Sequence, residues 1–213
     1  MITLYGLDIS TYCARVRIAM RFKGVAFTQL PPPDGYGSDA YRALVPMGTI
    51  PGFVDGDIVL SESNAIVEYL EENVPTPALL PDAPLGRAMQ RSLASIHDGW
   101  VEPQIRALYP QVSPTARDSK KVEAHCALFA RRLNEFANYA DGHLVDSLAF
   151  ADLAWPTTLV HARLLLPVFG FELKLPKILE QWHERLLDED AVRPDVAACE
   201  AGMHKWLEAK LSS

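Results

Sequence analysis

Pro75, Pro77, Pro81 and Pro84 separate two parts of the chain that cannot fold alike. Upstream, short β-rich runs alternate with helical ones. Downstream, the strand signals disappear. A stretch this rich in proline reads as a linker between domains. The pattern therefore predicts a small α/β domain over 1–74, a linker over 75–84 and an all-helical domain over 85–213.

In the first part, Ile2 to Tyr5 is β-rich and stops at Gly6. Ala14 to Phe22 is apolar at helical spacing and closes on Lys23-Gly24, a cation followed by a glycine cap. Val25 to Leu30 returns to strand character until Pro31-Pro32-Pro33-Asp34-Gly35 stops it. A strand, a helix and a strand in that order imply a right-handed crossover and a parallel pair. A weak helix around Asp39 to Leu44 comes next. Gly52-Phe53-Val54-Asp55 and Ile58-Val59-Leu60 flank Gly56-Asp57, a hairpin signal. Ser63 to Leu70 is helical, with Ile66, Tyr69 and Leu70 on one face. The βαβ then ββα order is a thioredoxin-type arrangement. In the second part, helices are predicted near 85–109, 115–140, 150–166, 176–188 and 191–211, a helical bundle.

The formal net charge of −7 argues against a nucleic-acid partner and, weakly, against an anionic membrane surface. No apolar stretch approaches the length of a membrane span. The first residues, Met1-Ile2-Thr3-Leu4-Tyr5, lack the pattern of a signal peptide. Cys13, Cys126 and Cys199 cannot all pair within one chain and have no metal-ligand spacing, so the expectation is reduced thiols in the cytoplasm and no metal. Cys126 and Cys199 lie in amphipathic helical stretches and read as core packing.

Chemistry concentrates at Ser10-Thr11-Tyr12-Cys13. In a thioredoxin-type domain the loop after the first strand meets a helix N-terminus, where backbone N–H groups and the helix dipole favour an anion. Redox members of this fold carry Cys-x-x-Cys there. Here Ser10 holds the outer position and Cys13 the inner one. A hydroxyl cannot exchange disulfides, but it can donate a hydrogen bond to a sulfur anion brought by a ligand. Ser10 or Thr11 also suits a plain N-cap. Gly48-Thr49-Ile50-Pro51-Gly52 precedes the third strand. A cis Pro51 there would turn the N–H and C=O of Ile50 toward the Ser10 loop, where an extended peptide could pair with them. The Ser63 hydroxyl and the N-terminus of its helix suit a carboxylate, and Glu62 suits an ammonium, so together they fit an α-amino-acid end.

Three segments, Ser10 to Ala19, Pro46-Met47-Gly48-Thr49-Ile50-Pro51 and Leu60-Ser61-Glu62-Ser63-Asn64-Ala65-Ile66, resemble the cytosolic glutathione transferases in order and spacing. The likeness extends over essentially the whole chain. It is greatest to the serine-type zeta and tau classes and related bacterial members. The resemblance implies glutathione as co-substrate, with Ser10 activating its sulfur, Ile50 before cis Pro51 holding the cysteinyl backbone, Thr49 beside it, and Glu62 and Ser63 at the γ-glutamyl end. It also implies a two-fold homodimer and a detoxifying transferase. Three positions depart from the family. Tyr12 stands where the zeta class has cysteine. Thr49 stands where Lys or Gln is usual. Ala149 replaces the Ser or Thr of a capping box that ends in Asp152. That loss is expected to cost about 1 kcal/mol unless compensated.

The second substrate is expected between the domains, with Tyr12, His97, Trp100, Arg106 and Tyr109 as lining residues and Trp155 and His161 as weaker ones. His97 with Trp100, and Arg106 with Tyr109, would each share a helix face. Arg106 suits an acidic substrate. The thiolate chemistry leaves conjugation, peroxide reduction, dehalogenation, thioether cleavage and cis–trans isomerisation open. A non-catalytic glutathione-binding protein is disfavoured by the joint presence of Ser10, Glu62 and Ser63. A thiol–disulfide oxidoreductase is disfavoured by Ser10, and would require Cys13 to be exposed with a low pKa.

Overall fold

Short β-branched and aromatic runs form β1 (Ile2–Tyr5), β2 (Phe27–Leu30), β3 (Gly52–Asp55) and β4 (Ile58–Leu60). In the computed structural model, which describes residues 1–212, they make one sheet of order β2-β1-β3-β4. β1 and β2 are parallel, and the other pairs are antiparallel, with Leu4 opposite both Gln29 and Phe53. Helix α1 (Thr11–Phe22) is the crossover between β1 and β2. A short α2 (Asp39–Arg42) lies in the following loop, and α3 (Ser63–Asn73) follows β4 and packs beside α1. Leu4, Val16, Met20, Phe53 and Ile66 are fully buried between sheet and helices. This is a thioredoxin-like βαβ-ββα domain, and a helical bundle follows it.

The bundle comprises α4 (Pro84–Ile96), α5 (Glu102–Arg106), α6 (Ser119–Ala140), α7 (Trp155–Leu165), α8 (Lys177–Asp188) and α9 (Arg193–Leu211). Pro84, Pro156 and Pro194 sit in the first turns of α4, α7 and α9, where a missing N–H costs nothing. Pro84 thus belongs to a helix and not to the connecting segment. That segment is held from the first domain. Lys23 Nζ donates to the carbonyls of Val74 (2.6 Å) and Pro77 (2.9 Å), and Glu71 accepts from the N–H groups of Leu79 and Leu80.

One expected helix is broken. The run predicted over 85–109 ends as regular α-helix at Ile96, and His97–Val101 forms a π turn in which the Glu102 N–H reaches His97 O. Pro103 has no N–H to donate to the preceding turn, so it opens α5 instead of continuing α4. The helix predicted from 150 also starts late. Phe150–Asp152 is a 3₁₀ turn, and α7 begins at Trp155. α7 is buried on nearly every side, from Trp155 to Ala162, and forms the axis of the bundle.

The missing hydroxyl at Ala149 is compensated from outside the turn. Asp152 still accepts from the Ala149 N–H (2.9 Å). The Phe150 N–H donates to Leu79 O (2.9 Å), and the Ala151 N–H donates to Gln90 Oε1 (3.2 Å). The orphan donors of the turn therefore have acceptors in the linker and in α4. Replacing Gln90 with leucine strands a buried N–H and is expected to cost about 1–3 kcal/mol in urea unfolding. Ala149→Ser, by contrast, is expected to gain less than about 0.5 kcal/mol, because no donor is left for the new hydroxyl to satisfy.

Candidate active site

The loop leaving β1 delivers Ser10 to the start of α1 as its N-cap. Ser10 Oγ accepts from the Cys13 N–H at 3.3 Å, a bond that uses its oxygen and not its own proton. Capping and donation to a ligand are therefore compatible roles. Cys13 is fully buried, and burial pushes its thiol pKa up against the opposing hydrogen bond from Ser10. It lacks the exposure and lowered pKa that a reactive thiol needs.

The peptide between Ile50 and Pro51 is cis. The Tyr41 hydroxyl donates to Thr49 O at 2.9 Å and fixes the approach to that turn. Gly52 is required here, since a Cβ would sit 2.3 Å from the Tyr41 oxygen. Neither the Ile50 N–H nor its carbonyl has a backbone partner among the described residues. Ahead of α3, Glu62 adopts φ 69° and ψ 106°, a left-handed conformation uncommon outside glycine.

Ser63 and Asp98 meet on the guanidinium of Arg15. Arg15 is only 2% exposed. It donates to Ser63 Oγ (2.8 Å) and, through both terminal nitrogens, to Asp98 (2.9 and 2.5 Å). Asn64 donates to Asp98 at 2.8 Å, and His97 Nδ1 lies 2.8 Å from it. Burial opposes the charge on Asp98, but the hydrogen bonds from His97 and Arg15 and the Arg15 charge outweigh it and hold the carboxyl far below the usual range. His97 is itself completely buried. Burial lowers its pKa, and its Nε2 contacts Thr158 Oγ1 at 2.9 Å. A neutral ring then carries its proton on Nδ1, toward the carboxylate.

Ser63, Asn64 and Asp98 border a cavity of about 650 Å³ between the two domains. One wall carries Ser10, Thr49, Ile50, Pro51, Glu62 and Ser63. The other carries Glu102, Arg106, Tyr109, His161, Met203 and Trp206. Glu102 is 2% exposed and accepts from Tyr12 Oη (3.2 Å) and from two nitrogens of Arg106 (3.0 and 2.8 Å). Tyr12 lies between the Arg15 and Arg106 guanidiniums, 5.4 and 5.0 Å from its ring centre. Tyr109 is hydrogen-bonded to His161 Nδ1 and stacks edge-on against Trp206. Burial pulls the His161 pKa down to about 4, so its ring is uncharged at neutral pH. Gly202 lets α9 come this close, since a Cβ there would lie 2.4 Å from Ile9.

Residues 4–78 match the family model for the glutathione S-transferase N-terminal domain. A maleylacetoacetate isomerase of Dictyostelium discoideum is 31% identical over 174 residues, 75% of this chain and 78% of that protein. The chain belongs to the glutathione transferase family. A stringent starvation protein A homolog of Pasteurella multocida is 35% identical over 137 residues, 63% of this chain and 59% of that one. The chain spans about half the length of the first curated relatives it matches. Among solved structures, a bacterial zeta-class glutathione transferase, maleyl pyruvate isomerase, has TM-score 0.74 and 27% identity over 92% of this chain and 97% of that one.

Ser10, Thr49, Ile50, Pro51, Glu62 and Ser63 share one wall of this family member's cavity, and Tyr12, Arg106, Tyr109 and His161 also border it. Three expectations for the second-substrate side do not hold. His97 points away from the cavity, into the core against Trp155 and Thr158. Trp155 packs among His97, Phe136 and Trp182. Trp100 is 52% exposed under the Arg132 guanidinium. The wider π turn removes the shared face that regular spacing would give His97 and Trp100. Asp98, Glu102, Met203 and Trp206 were not anticipated. Glu102 and Arg106 stand four apart, and Met203 and Trp206 three apart, so both pairs follow helical spacing.

Removing Arg15 leaves Asp98 without its counter-ion. Arg15→Met is expected to lose about 3 kcal/mol in urea unfolding. The double change Arg15→Met with Asp98→Asn should lose clearly less than the sum of the single changes.

Proposed function

We propose that the chain binds glutathione along the Ser10 wall of the cavity and directs its thiolate at an electrophile on the Tyr109 wall. The observation that carries this reading is the convergence of three unlike recognition elements on one wall. The first is the Ser10 hydroxyl, whose capping bond uses its oxygen and not its proton. It lies at the positive end of α1 and favours a sulfur anion. The second is Ile50, which offers backbone groups to a cysteinyl backbone in the manner of an added strand. The third is Ser63, whose oxygen is held by Arg15 and whose proton is free for the γ-glutamyl carboxylate, with Glu62 beside it for the ammonium. Catalysis is then pKa lowering plus positioning of two reactants.

Isomerisation by reversible thiolate addition is the second reading. It draws on the similarity to the Dictyostelium maleylacetoacetate isomerase and to the zeta-class maleyl pyruvate isomerase. Both readings begin with the same thiolate. No described helix is long and apolar enough to cross a membrane. A cytoplasmic homodimer fits the family, and sedimentation velocity tests the assembly.

Ultraviolet absorbance of the bound thiolate, titrated with pH, tests the central claim. Loss of a charge-assisted hydrogen bond of about 1.5–3 kcal/mol in Ser10→Ala should raise the bound thiol pKa by about 1–2 units. Glutathione affinity should change far less. Glu62→Ala should instead weaken binding about tenfold or more, a loss of roughly 1.4 kcal/mol or above. Wild-type protein that binds glutathione without forming thiolate near neutral pH would overturn the reading.

A further inference from the structure

Among the described residues, Arg106 is the one guanidinium bordering the second-substrate wall, and it would be the natural partner of an acidic electrophile. Its geometry says otherwise. Two of its nitrogens are engaged by the Glu102 carboxylate at 3.0 and 2.8 Å. Glu102 is the deeper member, 2% exposed, and Tyr12 holds it from the other side. A carboxylate arriving at Arg106 therefore meets a pair already neutralised, with a fixed negative charge beside it.

The surroundings add to this. The cavity border carries Glu62, Asp98 and Glu102 against Arg106, with Arg15 behind Asp98. Counting Arg15, three carboxylates face two guanidiniums. His161 is uncharged near neutral pH, and Tyr109 remains a phenol because burial raises its pKa. Met203 and Trp206 on the same wall carry no charge. On the reading proposed above, glutathione bound as thiolate adds two carboxylates and a sulfur anion against a single ammonium. Among the described residues of this wall, no unpaired cation is left to balance an anionic second substrate.

We propose that Glu102 is a specificity-determining residue that reserves this wall for uncharged electrophiles and rejects unsaturated carboxylates. The inference rests on the glutathione reading and separates this chain from the relatives named for maleyl substrates. Its chemistry is thiolate addition to an activated double bond. The C–S bond forms, the displaced π pair is held by the adjacent carbonyl, and solvent supplies the proton.

Dimethyl maleate and maleate form a matched pair of probes. Each is assayed at saturating glutathione, and kcat/KM is divided by the uncatalysed rate with glutathione. Wild type should favour the diester by at least tenfold. Glu102→Gln should move that ratio at least tenfold toward maleate, since it frees the Arg106 charge. A wild-type preference for maleate, or a ratio changed less than twofold in Glu102→Gln, overturns the proposal. If Glu102→Gln does not fold, ionic strength serves with wild type alone. Screening repulsion should raise kcat/KM for maleate with salt while leaving the diester flat, and a fall or no change for maleate sinks the idea. Thiolate absorbance in the same samples separates the two failures. Without thiolate the glutathione reading is wrong, whereas thiolate with a maleate preference removes only the role of Glu102.

Discussion

A buried guanidinium has to be paired, and Arg15 makes its pairing the organising constraint of the cavity. Its fork holds Ser63 at the start of α3 and both oxygens of Asp98 in the π turn. Asp98 is then fully engaged, with His97 on one oxygen and Asn64 on the other. Three elements distant in sequence are locked at one point, two from the sheet domain and one from the bundle. The π turn belongs to this constraint. Its wider turn sends His97 into the core and Asp98 toward α1, though they are neighbours in sequence.

Helix α1 is covered on both sides, which explains why charged residues lie in its interior faces. Its apolar stripe packs on the sheet and α3, and its other side meets α7 and α9. Arg17 is 3% exposed and, with Arg21, pairs with Asp195 near the start of α9. Burying such pairs contributes little net stability compared with apolar packing of the same volume. What they contribute is registration. Arg15 and Arg17 leave one alignment of α1 against the bundle in which every charge has a partner, and that alignment places Ser10 on the cavity border.

The sheet domain was largely legible because its signals are local. Short β-rich runs, a hairpin signal at Gly56-Asp57 and proline stops each fix their own element, and the Ser10, Ile50-Pro51 and Glu62-Ser63 segments sit at the ends of those elements. The bundle was less so. The interruption after Ile96 arises from Pro103, seven residues downstream, and its effect on which side chains face the cavity depends on the partner Asp98 finds in α1. His97, Trp155 and Trp100 have the residue types of a binding site, but two are held by the core and one by Arg132. The late start of α7 has the same character. The acceptor for the Ala151 N–H is Gln90, sixty-one residues earlier in the chain, and no cap pattern announces it.

Arg106 shows how a neighbour can change the chemistry that a side chain offers. As an isolated arginine on a cavity wall it reads as an anion receptor. Yet Glu102, four residues before it, is in the ideal position to occupy it, and an exposed pair at that spacing would be worth only a few tenths of a kcal/mol. Burial changes the magnitude. Once Glu102 is enclosed under Tyr12, its charge cannot be relieved by water, so Arg106 is obliged to remain with it. A ligand carboxylate would reach only the nitrogen that Glu102 leaves free, on a cation already neutralised by its buried partner. The depth of Glu102, and not the presence of Arg106, therefore sets the sign of this wall.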